Sequence, residues 1–137
     1  MQIPAQAIDA YNIVLTPPIS PLHILVVEDD PRVSGLICSQ LIEAGHQPEP
    51  AGNADEALGK FSASQFDLVI TDLTMPGMDG NQLAITLKKI KPSLPIVLLT
   101  GCGDMMGDAL PEAVDLVVCK PFGHRVLMES IATVMKR

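Results

Sequence analysis

From residue 22 onward the chain alternates between short unbroken apolar runs and longer stretches with an apolar residue at every third or fourth position. The runs are Ile24–Val27, Leu68–Ile70, Ile96–Leu99 and Leu116–Val118. None of them alternates with polar residues, so each predicts a strand covered on both faces, as in a parallel sheet. A weaker strand is expected at Gln47–Pro50, and its prolines suit a sheet edge. Between the runs lie amphipathic helices with the 3.6-residue period. Val33, Leu36, Ile37 and Leu41 mark the first, with Pro31 suited to its N1 position and Asp30 to its N-cap. Ala54, Ala57, Leu58 and Phe61 mark the second, capped by Asn53. Leu83, Leu87 and Ile90 mark the third, which Pro92 stops, and Leu127, Ile131 and Val134 mark the last. A further helix between Thr100 and Asp115 is interrupted by Gly103, Gly107 and Pro111. The pattern predicts an α/β fold: a doubly wound five-stranded parallel sheet, flavodoxin-like order 2-1-3-4-5, with helices on both faces. Residues 1–21, with Pro4, Pro17, Pro18 and Pro21 and no period, are expected to form an N-terminal leader or linker. Residues 22–137 are expected to form the domain.

Composition narrows the function classes. The chain has 137 residues, 47% of them apolar, which fits one folded domain and not two. Aromatics are only 3%, so the core must be aliphatic. A net charge of −7 argues against binding to nucleic acid or to an anionic membrane. No apolar run reaches the roughly 18 residues of a membrane span. The first 31 residues hold no Lys or Arg, hence no positive region of a secretory signal. Cys38, Cys102 and Cys119 follow neither a disulfide framework nor a zinc pattern. Cys38 and Cys119 are expected to pack as small hydrophobes, which suits a cytoplasmic location.

The polar residues that end the apolar runs carry the chemistry. Strand 1 runs into Glu28-Asp29-Asp30 and strand 3 into Thr71-Asp72, while strand 4 ends at Thr100, followed by Gly101, and strand 5 ends at Cys119-Lys120-Pro121. In a doubly wound sheet these ends share one rim, beside the switch point between strands 1 and 3. Clustered carboxylates repel, and one takes a proton unless a cation joins them. A single Lys does not neutralise three acids. Mg²⁺, a hard cation that keeps several waters, suits such a shallow oxygen site and also screens an incoming phosphoryl group. Lys120 and the Thr100 hydroxyl stand where they can contact phosphoryl oxygens, and a carboxylate between them can act as nucleophile. Singly, each piece has a plainer reading as a helix cap, a turn former or a strand end. Their shared placement on one rim carries the weight.

Four segments together resemble the receiver domains of bacterial response regulators: Ile24-Leu-Val-Val-Glu-Asp-Asp-Pro31, Asp67-Leu-Val-Ile-Thr-Asp-Leu-Thr-Met-Pro-Gly-Met-Asp-Gly80, Ile96-Val-Leu-Leu-Thr-Gly101 and Lys120-Pro-Phe122. The resemblance covers about residues 22–136. It implies a phosphorelay role, with Asp72 as the phosphoacceptor. It also implies Mg²⁺, replaceable by Mn²⁺, held by Asp29, by Asp72, by Glu28 through water, and by the backbone carbonyl of Thr74. Thr100 is implied as the hydroxyl that moves toward the phosphoryl group, and Lys120 as the cation that pairs with acceptor and phosphate, with a cis bond to Pro121 that aims it inward. A histidine kinase or phosphotransfer protein is the implied donor. Turnover is slow self-dephosphorylation, so the chain is not a metabolic enzyme. Pairing of two copies, where it occurs in the family, runs through the fourth and fifth helices. The chain is expected to be a stand-alone regulator, or a receiver from a hybrid histidine kinase or a longer regulator.

Two departures stand out. Val117 occupies the position, three before the Lys, where the family usually carries Tyr or Phe. A β-branched aliphatic cannot perform the inward ring rotation. The stretch from Thr100 to Lys120 is slightly short and broken by Gly and Pro, so the output face is expected to be mobile or unusually shaped. An interaction module that works without phosphorylation is the main alternative, and the full set of acids, Thr100 and Lys120 argues against it. An enzyme of the haloacid dehalogenase type would need a second acid at Thr74. A nucleotide fold would need a Gly-rich loop after strand 1.

Overall fold

The unbroken apolar runs become the central strands of a parallel sheet. The computed structural model describes residues 20–101 and 111–136. Its strands are β1 (His23–Val27), β2 (Gln47–Ala51), β3 (Leu68–Asp72), β4 (Ile96–Gly101) and β5 (Leu116–Lys120), in the order β2-β1-β3-β4-β5. The described helices are α1 (Pro31–Glu43), α2 (Ala54–Ala63), α3 (Gly80–Ile90) and α4 (His124–Met135). The anticipated order 2-1-3-4-5 is the observed one. Residues 1–19 of the expected leader 1–21, and residues 102–110 of the expected helix between Thr100 and Asp115, lie outside the described residues.

Both sheet faces are covered. Leu25, Val27, Val69, Ile96 and Leu98 pack with Ala57 and Phe61 of α2 and with Leu83 and Leu87 of α3. Ile24, Val26, Leu68, Ile70, Val97 and Leu99 pack with Ile37 and Leu41 of α1 and with Leu127, Ile131 and Val134 of α4. This two-sided burial is why β1 shows no alternation: period-2 side chains meet a helix whichever way they point.

Three strands run further than their apolar letters. β3 continues through Thr71-Asp72, β4 through Thr100-Gly101 and β5 through Cys119-Lys120. The ladder still pairs Asp72 with Leu99, Thr100 with Cys119 and Gly101 with Lys120. The polar residues at these ends are therefore part of the sheet, which gives their side chains a rigid mount.

The helix starts follow from local chemistry. Asp30 accepts from the Arg32 N–H at 2.9 Å, with Pro31 at the first turn of α1. Asn53 accepts from the Glu56 N–H at 2.8 Å. Asp79 and Gln82 form a reciprocal capping box on α3.

The β2 edge is closed to further strands. Gln47 donates to Leu22, toward β1, so residues 48 and 50 face outward by alternation. Both are proline and offer no N–H, and the Pro50 carbonyl is taken by the Lys60 ammonium.

One cysteine corrects the sequence reading. Cys38 is a free, half-buried thiol packed beside the α1/α4 core, as expected, and burial pushes its pKa up. Cys119 is exposed and disulfide-bonded rather than packed as a small hydrophobe. Its neighbour Val118 points into the core, so alternation turns residue 119 to the other side of the edge strand.

His46 makes stability pH-dependent. It is 7% exposed, its Nδ1 accepts the Leu22 N–H at 3.1 Å, and burial lowers its pKa below 6.5. The fold therefore favours the neutral ring. That contribution is complete above the unfolded value and is lost as pH falls through the lowered folded value. Urea midpoints at pH 7.5 and 5.5 are expected to fall less in His46→Gln than in the wild type. Equal falls would remove His46 as the source.

Candidate functional site

The carboxyl ends of β1, β3, β4 and β5 place Glu28, Asp29, Asp72, Thr100 and Lys120 at one rim of the sheet. Glu28, Asp29 and Asp72 each bring a carboxylate oxygen within 4.8 Å of the other two. Glu28 and Asp72 are buried, 4% and 7% exposed, while Asp29 faces solvent. The Lys120 ammonium lies 2.9 Å from Asp72 Oδ1 and 3.2 Å from Glu28 Oε1. It follows a β5 residue laddered to Thr100 and precedes a cis bond to Pro121, the geometry expected from the resemblance.

The electrostatics of the rim are those of an acid cluster short of cations. Burial raises the Glu28 pKa above the usual carboxylate range, and the Asp72 charge adds to it. The Asp30 N–H, which donates to Glu28 Oε2 at 3.1 Å, and the Lys120 ammonium pull the other way without cancelling the rise. Burial alone would lower Lys120. Its hydrogen bond to Asp72 and the charges of Asp72 and Glu28 outweigh that and hold it above the ordinary lysine range.

The donor set fits a hard divalent cation. Three carboxylates face one ammonium, all donors are oxygen, and the exposed Asp29 keeps one side open to water. Glu28, Asp29 and Asp72 are the side chains that would hold such an ion.

Thr100 is 2% exposed, at the end of the strand paired to β3. Its hydroxyl donates to the Gly101 carbonyl at 3.2 Å. Thr74 sits two residues past Asp72, exposed in the loop after β3. Val117 is half-buried against the α2/α3 core, the place an aromatic ring would otherwise swing from.

Two features escaped the sequence reading. Lys120 bonds Glu28 as well as Asp72, a pairing across 92 positions that no local pattern carries. Asp30 also acts twice: its side chain caps α1 and its backbone N–H orients Glu28. The Asp-Asp-Pro sequence signals the first role but not the second.

Comparisons agree with this geometry. A family model described as the response regulator receiver domain matches residues 24–132. The response regulator protein FleR of Pseudomonas aeruginosa is 34% identical over 111 residues, covering 80% of this chain and 24% of FleR. PetR of Rhodobacter capsulatus is 34% identical over 86% of this chain and 50% of its own length. The chain thus spans a quarter to a half of these relatives. Among solved structures, the response regulator TrrA of Thermotoga maritima with Mg²⁺–BeF is 37% identical, with a TM-score of 0.76 over 82% of this chain and 97% of that one. TrrA in complex with the histidine kinase ThkA is 36% identical over the same shares, with a TM-score of 0.74.

Proposed function

This chain belongs to the response regulator receiver domain family, and on that premise we propose that it relays a signal by accepting a phosphoryl group on Asp72. The observation that carries the assignment is the 2.9 Å pair between Lys120 Nζ and Asp72 Oδ1 within the acid cluster. A buried carboxylate held by an ammonium is a nucleophile with its reacting oxygens already oriented.

The donor is a phosphohistidine of a histidine kinase or phosphotransfer protein. An Asp72 oxygen attacks phosphorus, the bond from phosphorus to the donor nitrogen breaks, and the leaving imidazole keeps the electron pair and takes a proton. Bound Mg²⁺ supplies charge neutralisation for the phosphoryl oxygens. Asp29, Glu28 and the Thr74 carbonyl are the further groups assigned to it. Lys120 then exchanges its Asp72 carboxylate contact for a phosphoryl oxygen. Thr100 must rotate off the Gly101 carbonyl to reach that phosphoryl group, so phosphorylation changes β4 at its end. With Val117 in place of an aromatic, no ring at that position can follow the Thr100 hydroxyl inward. The chain's role is relay rather than metabolic catalysis. Among the described residues no helix is long and apolar enough to cross a membrane.

The test is incubation with acetyl phosphate and Mg²⁺, read by intact mass. A phosphoryl increment that hydroxylamine removes and that chelation of the metal prevents is expected. No increment in the wild type would overturn the reading.

A further inference from the structure

The acceptor's own peptide is held in an unusual way. The β1–β3 ladder ends at the pair Val27–Thr71, so Asp72 lies one residue past it. Leu73 donates to Leu99 at 2.9 Å, toward β4, so alternation turns the Asp72 carbonyl to the β1 side, where the ladder has stopped. That carbonyl accepts instead from the Thr71 hydroxyl at 3.0 Å, in a fully buried setting. Its far side abuts Gly80: a Cβ built there would fall 2.1 Å from the Asp72 oxygen and 3.0 Å from Leu73 Cα. The Gly80 N–H donates to the Leu73 carbonyl at 2.8 Å. The first residue of α3, fixed by its capping box, thus lies directly on the peptide between Asp72 and Leu73.

Thr71 is the residue here that calls for a reason. It is fully buried on the sheet face that Leu25, Val27 and Val69 share with α2 and α3, and a hydroxyl buried in such apolar surroundings costs free energy unless it is bonded. Its hydroxyl donates to the carbonyl of the acceptor residue. We propose that Thr71 is a positioning residue for Asp72: its hydroxyl, with Gly80 behind the carbonyl, sets the tilt of the Asp72 peptide and so the direction in which the carboxylate leaves the strand. A tilt of that peptide swings the carboxylate relative to Lys120 and Glu28. A displacement near 1 Å can slow an oriented transfer by up to about 10²-fold. The hydroxyl touches no reacting atom and acts through Asp72.

This rests on Asp72 as acceptor, and the experiment separates the two. Thr71→Val, which keeps shape and removes the donor, is compared with Thr71→Ser, which restores it. The reads are the modification rate with acetyl phosphate at saturating Mg²⁺, the donor concentration at half-maximal rate, and the thermal midpoint. Thr71→Val is expected to slow the maximal rate roughly five-fold with the half-saturating donor concentration unchanged, and Thr71→Ser to return within about two-fold of wild type. If Thr71→Val does not fold, Thr71→Ala against Thr71→Ser supplies the same comparison. A wild-type rate in Thr71→Val, or a Thr71→Ser as slow as Thr71→Val, overturns the positioning role. A wild type that takes no phosphoryl group overturns the acceptor reading itself.

Discussion

Asp72→Asn folds and takes no phosphoryl group: its rate of modification by acetyl phosphate falls by about 10³-fold or more. An amide keeps the shape of the side chain but loses the charge and the nucleophilic electron pair. The surroundings favour folding. Asp72 is 7% exposed and bonded to Lys120 at 2.9 Å, and an Asn oxygen can still accept from that ammonium. Removing the Asp72 charge also removes one of the influences that raise Glu28. The loss is therefore one of chemistry, and far-UV circular dichroism should match the wild type. Borohydride reduction of the wild-type acyl phosphate should convert residue 72, and no other acid, to homoserine. A hydroxylamine-labile group that persists in Asp72→Asn, or reduction of Glu28 to hydroxynorvaline or of Asp29 to homoserine, would move the acceptor to a neighbouring carboxylate.

The fold and most of the rim were legible because both depend on strand order. Runs such as Ile24–Val27 report two-sided burial directly, and two-sided burial with intervening helices leaves few topologies. Once the strands are parallel, Glu28, Asp29, Asp72, Thr100 and Lys120 must gather, whatever their spacing along the chain. What could not be read depends on side-chain direction or close approach. Nothing local to Glu28 foretells its bond to Lys120. Nothing in Thr71 shows whether its hydroxyl faces a carbonyl or solvent. The tightness at Gly80 arises from a helix packing on a strand, not from the Asp-Gly pair itself. The apolar letters alone stop short of the strand ends, yet Asp72 and Thr100 remain in the ladder, because ladder pairing is made by the backbone whatever the side chain's polarity. Cys119 shows the opposite failure, an apolar neighbourhood in sequence around a residue that the edge strand turns outward.

Lys120→Met should move metal binding and phosphoryl transfer in opposite directions. The ammonium is the cation paired to both buried carboxylates, at 2.9 Å and 3.2 Å. A metal ion entering the cluster of Glu28, Asp29 and Asp72 meets that positive charge a few ångströms away. A dication about 6 Å from a unit positive charge is repelled by about 1.4 kcal/mol even at the dielectric of bulk water, so removing the ammonium should tighten Mg²⁺ roughly ten-fold or more. Transfer responds the other way. Without the ammonium no side-chain cation meets the phosphoryl oxygens that Asp72 draws in, and the rate should fall by about 10²-fold at saturating Mg²⁺. Without metal, Glu28 and Asp72 lose their counter-charge together, so Glu28 should take up a proton at higher pH than it does in the wild type. Titration calorimetry at pH 7.5, well above the usual carboxylate range, and the acetyl phosphate assay read the two effects separately. Weaker Mg²⁺ binding in Lys120→Met would mean that the ammonium holds the carboxylates in place for the metal rather than opposing it, and the electrostatic account of this rim would have to be reversed.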